Sequence, residues 1–375
     1  MSLKESTSIK CKTYIERISE KYLDFPWMRP TKILANRPTP LPMTDSFHSE
    51  YLSAIGDPDT KAQDKLRTDQ QCGYRNIVGE ITYAIVTCRP DISYATVKSA
   101  QSSACPARIH YEAIKHTMRY LYITRDDGIY FWQSAPRDDL PDVPLPTITS
   151  NPTDLLIAGR PQHDAYDLHG FVDSDWAACP NTRCSFSGIC ICLAGGTIAY
   201  KSRLQPTVAQ SSTEAEFISA ADAGKLLLYI RSILYDLGIP QESASILYED
   251  NEGCIAMANA GKPTSRTRHI DIKYHALCEW VEWDLLVLER VPTAKNMSNH
   301  LTKNLSKILF YRHVDFIMGH VPPPHSPLFG QLLCLHPTPS PASDPEHLPA
   351  AAAAKIVAIY RCYANWDLFP IHSIW

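Results

Sequence analysis

The chain has 375 residues, 45% of them hydrophobic and 20% charged, enough for two domains with packed cores. A formal net charge of −4 excludes a globally basic surface, so any grip on nucleic acid has to come from local patches. No window has the length and apolarity of a membrane span, and the charged start MSLKESTSIKCKTYIERISEKY lacks the apolar run of a secretory leader, so neither a membrane protein nor a secreted one is expected.

In chain order, residues 1–70 are polar and irregular, with one short amphipathic stretch, YIERISEKYLDF, and a proline-rich passage through Pro42. Little independent structure is expected there. Residues 71–132 read as helical: Ile77, Val78, Ile81, Ala84 and Ile85 recur at helical spacing, and HYEAIKHTMRYLYI repeats the pattern before Gly128. From 133 to 167 the composition shifts to Pro, Asp and Thr, with prolines at 136, 141, 144, 146, 152 and 161, which marks a linker between two units.

Residues 168–310 then run strands first and helices after. LHGFVDSDW is followed by two apolar β-rich runs flanking Gly195–Gly196, a hairpin signal. A helix is expected from about Ser211 to Leu237, closed by Gly238 and Pro240, then a strand ending at Asp250, a short helix through Met257 and a helix near Ile270 to Glu282. LLVLERV supplies a fifth strand and MSNHLTKNL a last helix. The whole is an α/β fold, a five-stranded mixed sheet flanked by helices in the element order of ribonuclease H. A Pro/Ala-rich tail, 311–375, is expected to be poorly ordered. The twelve cysteines include no CxxC pair, so buried reduced thiols of an intracellular protein, cytoplasmic or nuclear, are expected rather than zinc or disulfides.

Three acids carry the chemistry. Asp173 lies near the end of one strand-like segment, Glu216 opens the long helix and Asp250 ends another strand, so strand, helix and strand can bring them to one sheet edge. Carboxylates gathered in that way repel one another unless a divalent cation sits among them, which points to Mg²⁺ or Mn²⁺. Periodicity alone leaves Asp173 and Asp175 as alternatives, since both alternate onto one strand face. Glu214 and Glu216 are alternatives too, because Ser211-x-x-Glu214 and Thr213-x-x-Glu216 both have capping-box spacing. Asp250 also fits as an N-cap for the helix after it, a role open equally to Asn251.

The words FVDSDWAACPNTRCSFSG, QPTVAQSSTEAEFISAA, LYEDNEGCIAMA and RTRHIDIKYH resemble the ribonuclease H domain of Ty1/copia-type retrotransposon Pol polyproteins. Upstream, GYRNIVGEITYAIVTCRPDISYAT and HYEAIKHTMRYLYITRDDGIYF resemble the connection segment that follows the reverse transcriptase core in that family. The resemblance covers about residues 72–305, the C-terminal portion of such a polyprotein. It selects Asp173, Glu216 and Asp250 as metal ligands and implies a two-metal-ion endoribonuclease acting on the RNA strand of an RNA–DNA hybrid, working with the remaining parts of the Pol polyprotein. Similar proteins carry a fourth aspartate in a word like "ADxxTKxL". Here SNHLTKNL puts Asn299 at that position, which supplies an amide oxygen but no charge. The alternative to a slow or metal-hungry nuclease is therefore a non-catalytic remnant, or a nucleic-acid-binding module with a degenerate metal site.

Arg183, Lys201, Lys262, Arg266, Arg268 and Lys273 are the candidate phosphate contacts, with His269 a candidate for substrate binding or proton transfer. A polymerase needs Tyr-x-Asp-Asp on a hairpin. The pair Asp126–Asp127 before Gly128 follows Thr124 and Arg125 instead, so polymerase activity is not expected.

Overall fold

The structure, a computed structural model, describes residues 6–29, 38–42, 44–132, 167–237, 239–260 and 272–320, with side chains of the last stretch from 275 onward. Five strands form the central sheet: β3 (His169–Asp175), β4 (Phe186–Leu193), β5 (Gly196–Leu204), β6 (Ser245–Glu249) and β7 (Leu286–Arg290). Their order is β5-β4-β3-β6-β7, antiparallel across the first three and parallel across the last three. This is the ribonuclease H-like mixed sheet the element order predicts. β4 is buried along its whole length, so it carries apolar or small residues on both faces.

The hairpin β4–β5 turns one residue earlier than the paired glycines indicate. Ala194 (φ 52) and Gly195 (φ 75) take the two left-handed positions. Gly196 instead opens β5, where a Cβ would lie 2.3 Å from the Tyr130 carbonyl oxygen, so its glycine serves a close approach and not the turn.

The connection β5–β6 is the helix α7 (Ser212–Asp236), N-capped by Ser211, whose hydroxyl accepts from Glu214 N at 3.1 Å. α8 (Glu252–Asn259) and α9 (Ile272–Glu282) link β6 to β7. MSNHLTKNL does not form the last helix. A 3-10 turn, Met297–Leu301, occupies it, and the final helix is α10 (Lys307–Ile317). α10 runs across the expected tail boundary at 310. Its Phe316 packs edge-on against Phe171 of β3, with ring centroids 5.5 Å apart, so the unit extends past 310. Residues 321–375 lie outside the described residues.

The largest departure is at the N-terminal end, which is not irregular. β1 (Ser6–Ile9) pairs antiparallel with β2 (Ile129–Trp132), while α1 (Lys12–Glu20), α2 (Asp45–Ser53) and α3 (Thr60–Gln70) precede α4 (Tyr74–Thr87), α5 (Ser93–Ala100) and α6 (Arg108–Ile123). Thr44 and Asp59 cap α2 and α3 by accepting from Phe47 N and Ala62 N. α1 drives Ile15 and Ile18 into the same apolar core that holds Ile81, Ile114, Phe171, Ile189 and Leu247. One core thus runs through both halves. The backbone joins them as well: Trp132 N donates to Ala194 O at 2.7 Å, Tyr130 N to Met318 O at 2.8 Å, and the Tyr200 hydroxyl to Ile85 O. The expected linker, 133–167, lies outside the described residues except for its last residue, and its two flanks pack together. Among the described residues all cysteines are free thiols, most of them buried, and no helix is long and apolar enough to cross a membrane.

Candidate metal centre

β3 and β6 run parallel and end side by side, so Asp173 and Asp250 reach the same sheet edge, and the N-terminal part of α7 brings Glu216 over it. One carboxylate oxygen from each of Asp173, Glu216 and Asp250 lies within 4.8 Å of the others. Asp173 is 2% exposed and Glu216 6%. Burial pushes the Asp173 carboxyl up, opposed by Lys303 and the Thr302 hydroxyl and reinforced by Asp250. Glu216 is pushed well above the usual carboxylate range by burial first, then by Glu249, Asp173 and Asp250. Its Oε2 is buried with no hydrogen-bond partner. Three converging carboxylates, one with an orphaned buried oxygen, form a donor set of hard oxygens, and this fits a hard divalent cation.

The structure also separates the paired alternatives. Glu214 is the capping residue, since its carboxylate accepts from Gln210 N at 2.8 Å while Ser211 accepts from Glu214 N. Asn251, not Asp250, caps α8, accepting from Cys254 N at 3.0 Å. Asp175 stands outside the converging set, with Lys303, Lys98 and His48 as its charged neighbours.

Asn299 is placed differently from a ligand. It is buried in the 3-10 turn, and its Nδ2 donates to Thr293 O at 2.6 Å and Asn296 O at 3.0 Å. Its Oδ1 is buried without a partner. The residues that do reach Asp173 from this turn follow it. The Thr302 hydroxyl donates to Asp173 Oδ2, and Lys303 Nζ lies 3.4 Å from the same oxygen. Gly188 makes the approach possible: it stands opposite Asp173 in the β3–β4 register, and a Cβ there would meet Thr302 Cγ2 at 2.7 Å and Ser298 O at 2.9 Å.

Glu249 is a further acid that the sequence reading passed over. It is fully buried at the end of β6, and its Oε1 accepts from Asp250 N and Asn251 N, both at 3.0 Å. Its Oε2 has no partner. Burial raises its carboxyl to about 8, against the pull of the Asn251 and Asp250 peptides and with the push of Asp250 and Asp173. The signal lay in its phase, since alternation along β6 puts residue 249 with the apolar Leu247.

No protein-family model matches the chain. It is 31% identical over 230 residues to the retrovirus-related Pol polyprotein from transposon TNT 1-94 of Nicotiana tabacum, covering 61% of this chain and 15% of that protein. It is 29% identical over 294 residues to the one from transposon RE1 of Arabidopsis thaliana, covering 78% of this chain and 17% of that protein. The chain is homologous to retrotransposon Pol polyproteins. It spans less than a fifth of the length of these Pol relatives. Among solved structures it matches LC11-RNase H1 isolated from compost, at 17% identity and a TM-score of 0.29, over 36% of this chain and 92% of that one. A likeness at that score adds nothing to the sheet order itself.

The expected phosphate contacts of this Pol-like chain are only partly placed. Arg183 is exposed in the β3–β4 turn at the acidic edge, with a left-handed backbone (φ 58). Lys201 lies two strands from β3, level with Val172. It is partly buried on β5 with Arg203, Asp222 and Lys225 as charged neighbours, two of them on α7 beyond the turn that carries Glu216, and burial, then Arg203, lowers its ammonium to about 8. Lys262, Arg266, Arg268 and His269 lie outside the described residues, and Lys273 falls on α9 where only the backbone is described.

Proposed function

We propose that this chain is the ribonuclease H-type endonuclease of a retrotransposon reverse-transcription machinery, cutting the RNA strand of RNA–DNA hybrids. The observation that carries the reading is the convergence of Asp173, Glu216 and Asp250, together with a buried Glu216 oxygen that has no hydrogen-bond partner in the fold. These three would hold two Mg²⁺ or Mn²⁺ ions, which when bound supply a water of lowered pKa and a counter-charge for the leaving 3′ oxygen. Thr302 and Lys303 fix the Asp173 carboxylate from the opposite side, so its orientation is set before any substrate arrives. Arg183 would meet a phosphate, and recognition would rest on backbone, groove shape and the 2′-hydroxyl rather than on base sequence. Homology to Pol polyproteins supports the remaining parts of such a polyprotein as partners.

The test uses the full chain, because one core spans both halves. Labelled RNA–DNA hybrid incubated over a range of Mg²⁺ or Mn²⁺ should yield 5′-phosphate and 3′-hydroxyl products, and Asp173→Asn should slow cutting by at least about a hundredfold. A second reading, a non-catalytic hybrid-binding remnant, is favoured by one observation: the Asn299 amide nitrogen is spent on two backbone carbonyls, Thr293 O and Asn296 O, of the segment just before its turn. Hybrid bound but uncut at every metal concentration would replace the first reading with the second.

A further inference from the structure

We propose that Lys98, on α5 of the N-terminal half, is a backbone-phosphate contact for the nucleic acid whose scissile bond lies at the metal centre. The inference rests on the functional reading above and adds to it a binding residue from outside the five-stranded sheet.

In the β3–β4 register Asp173 stands opposite Gly188 and Asp175 opposite Phe186, so these four share one face of the sheet at its acidic end. Phe186 is then the diagonal neighbour of Asp173, about 7–8 Å from it. α5 packs over this face, against β5 and the 3-10 turn Met297–Leu301. Two of its residues, one helical turn apart, cover Phe186. Tyr94 meets it edge-on with ring centroids 5.6 Å apart, and Lys98 Nζ lies 5.0 Å from the ring centroid.

The ammonium is left without a polar partner. Lys98 is 6% exposed, with Nζ still open to solvent, and among the described residues Nζ makes no hydrogen bond and no ion pair. Lys115 shows what a packed lysine has elsewhere in this fold. It is 8% exposed and lies 5.3 Å from the Trp27 ring centroid, but its Nζ also donates to Gln70 Oε1 at 2.8 Å. A ring face offsets only part of the cost of taking an ammonium out of water, and a methionine would pack on Phe186 without that cost. A cation held by α5 beside the acidic centre, with its tip accessible, has the chemistry to take a phosphate oxygen. Arg183, exposed in the turn between Asp175 and Phe186, extends the same positive rim. The phosphate at Lys98 would flank the one at the metal centre, because the ammonium stands beyond Phe186 and not among the three acids.

Fluorescence anisotropy of labelled RNA–DNA hybrid with the full chain in EDTA, over a range of NaCl concentrations and alongside thermal unfolding, tests it. Lys98→Met keeps the stem and deletes the charge. It should weaken binding about five- to tenfold and reduce the salt slope by about one, with a melting temperature equal to or above that of the wild-type chain. Lys115→Met deletes the same charge at a partnered site, so its melting temperature should fall while affinity and salt slope stay as they were. Wild-type affinity and slope in Lys98→Met, an equal loss of affinity in Lys115→Met, or a Lys98→Met chain that melts lower or does not fold overturns the proposal. The two levels of inference separate cleanly. If the wild-type chain binds and cuts hybrid in Mg²⁺ and Lys98→Met binds it as tightly, Lys98 alone is wrong; if the wild-type chain binds no hybrid in EDTA or in Mg²⁺, the functional reading falls with it.

Discussion

Two buried groups of charge in this molecule are built on opposite rules. In the N-terminal half, Arg89 and Asp91 are both sealed from solvent. Arg89 Nε and Nη2 meet the two Asp91 oxygens at 2.9 and 2.7 Å, Tyr120 donates to Asp91 Oδ2 at 2.7 Å, and Arg89 also donates to Thr124 O and Oγ1. Burial pushes Asp91 up, yet Arg89 and Tyr120 outweigh it and hold the carboxyl below its ordinary value. At the sheet edge, Asp173, Glu216 and Glu249 are all pushed up, and two of the three keep an oxygen with no partner. Both groups pay desolvation. Only in the first does every carboxylate oxygen find a partner inside the fold; in the second, Glu216 Oε2 and Glu249 Oε2 do not.

Breaking the satisfied pair should have the largest effect on stability. Asp91→Ala strands the Arg89 guanidinium in the core and should cost roughly 3–5 kcal/mol in urea unfolding of the full chain. The pH dependence has a fixed sign. Because the folded carboxyl sits lower than the unfolded one, its stabilisation is complete above the unfolded value of about 3.9 and is lost as pH falls through the folded value. Asp91→Asn should therefore flatten the acid limb below about pH 4. A cost under about 1 kcal/mol for Asp91→Ala would remove the contrast on which the comparison stands.

A smaller effect, aimed at the other group, is expected at Gly188. Adding one carbon there drives into Thr302 Cγ2, Ser298 O and the Leu301 Cβ, the last at 3.0 Å, so the 3-10 turn has to move off the strand. Gly188→Ala should cost about 1–3 kcal/mol and carry Thr302 and Lys303 away from Asp173, lowering cleavage of hybrid in the same variant. Gly79, where a Cβ meets nothing within 4 Å inside α4, is the control and should tolerate alanine. Equal effects at the two glycines would mean that the turn does not orient Asp173.

The same contrast explains how far the sequence could be read. β3, α7 and β6 were legible because their signals are local: strand alternation, a helical apolar run and a Ser/Glu cap. The placement of Asp173, Glu216 and Asp250 at one edge followed from those elements. What escaped depends on distant partners. Thr302 meets Asp173 across 129 residues, and β1 finds β2 on the far side of six helices, so neither leaves a trace in a short window. α3 escaped for another reason. It buries no residue, so apolar periodicity is silent there and its cap at Asp59 was the only sign. Glu249 had a local signal, an acid in the apolar phase of a strand, and was overlooked because the neighbouring Asp250 fitted the expected role.

The smallest expected change is at Asn299. Aspartate there removes two donated hydrogen bonds, to Thr293 O and Asn296 O, and sets a carboxylate against the same carbonyls. In EDTA, Asn299→Asp should lose about 1–2 kcal/mol and melt a few degrees lower. With Mg²⁺ present the added charge works the other way, and the metal midpoint should fall several-fold, with cleavage of hybrid rising at low Mg²⁺. If Asn299→Asp destabilises the metal-free chain and leaves the midpoint where it was, the side chain at 299 belongs to the turn alone.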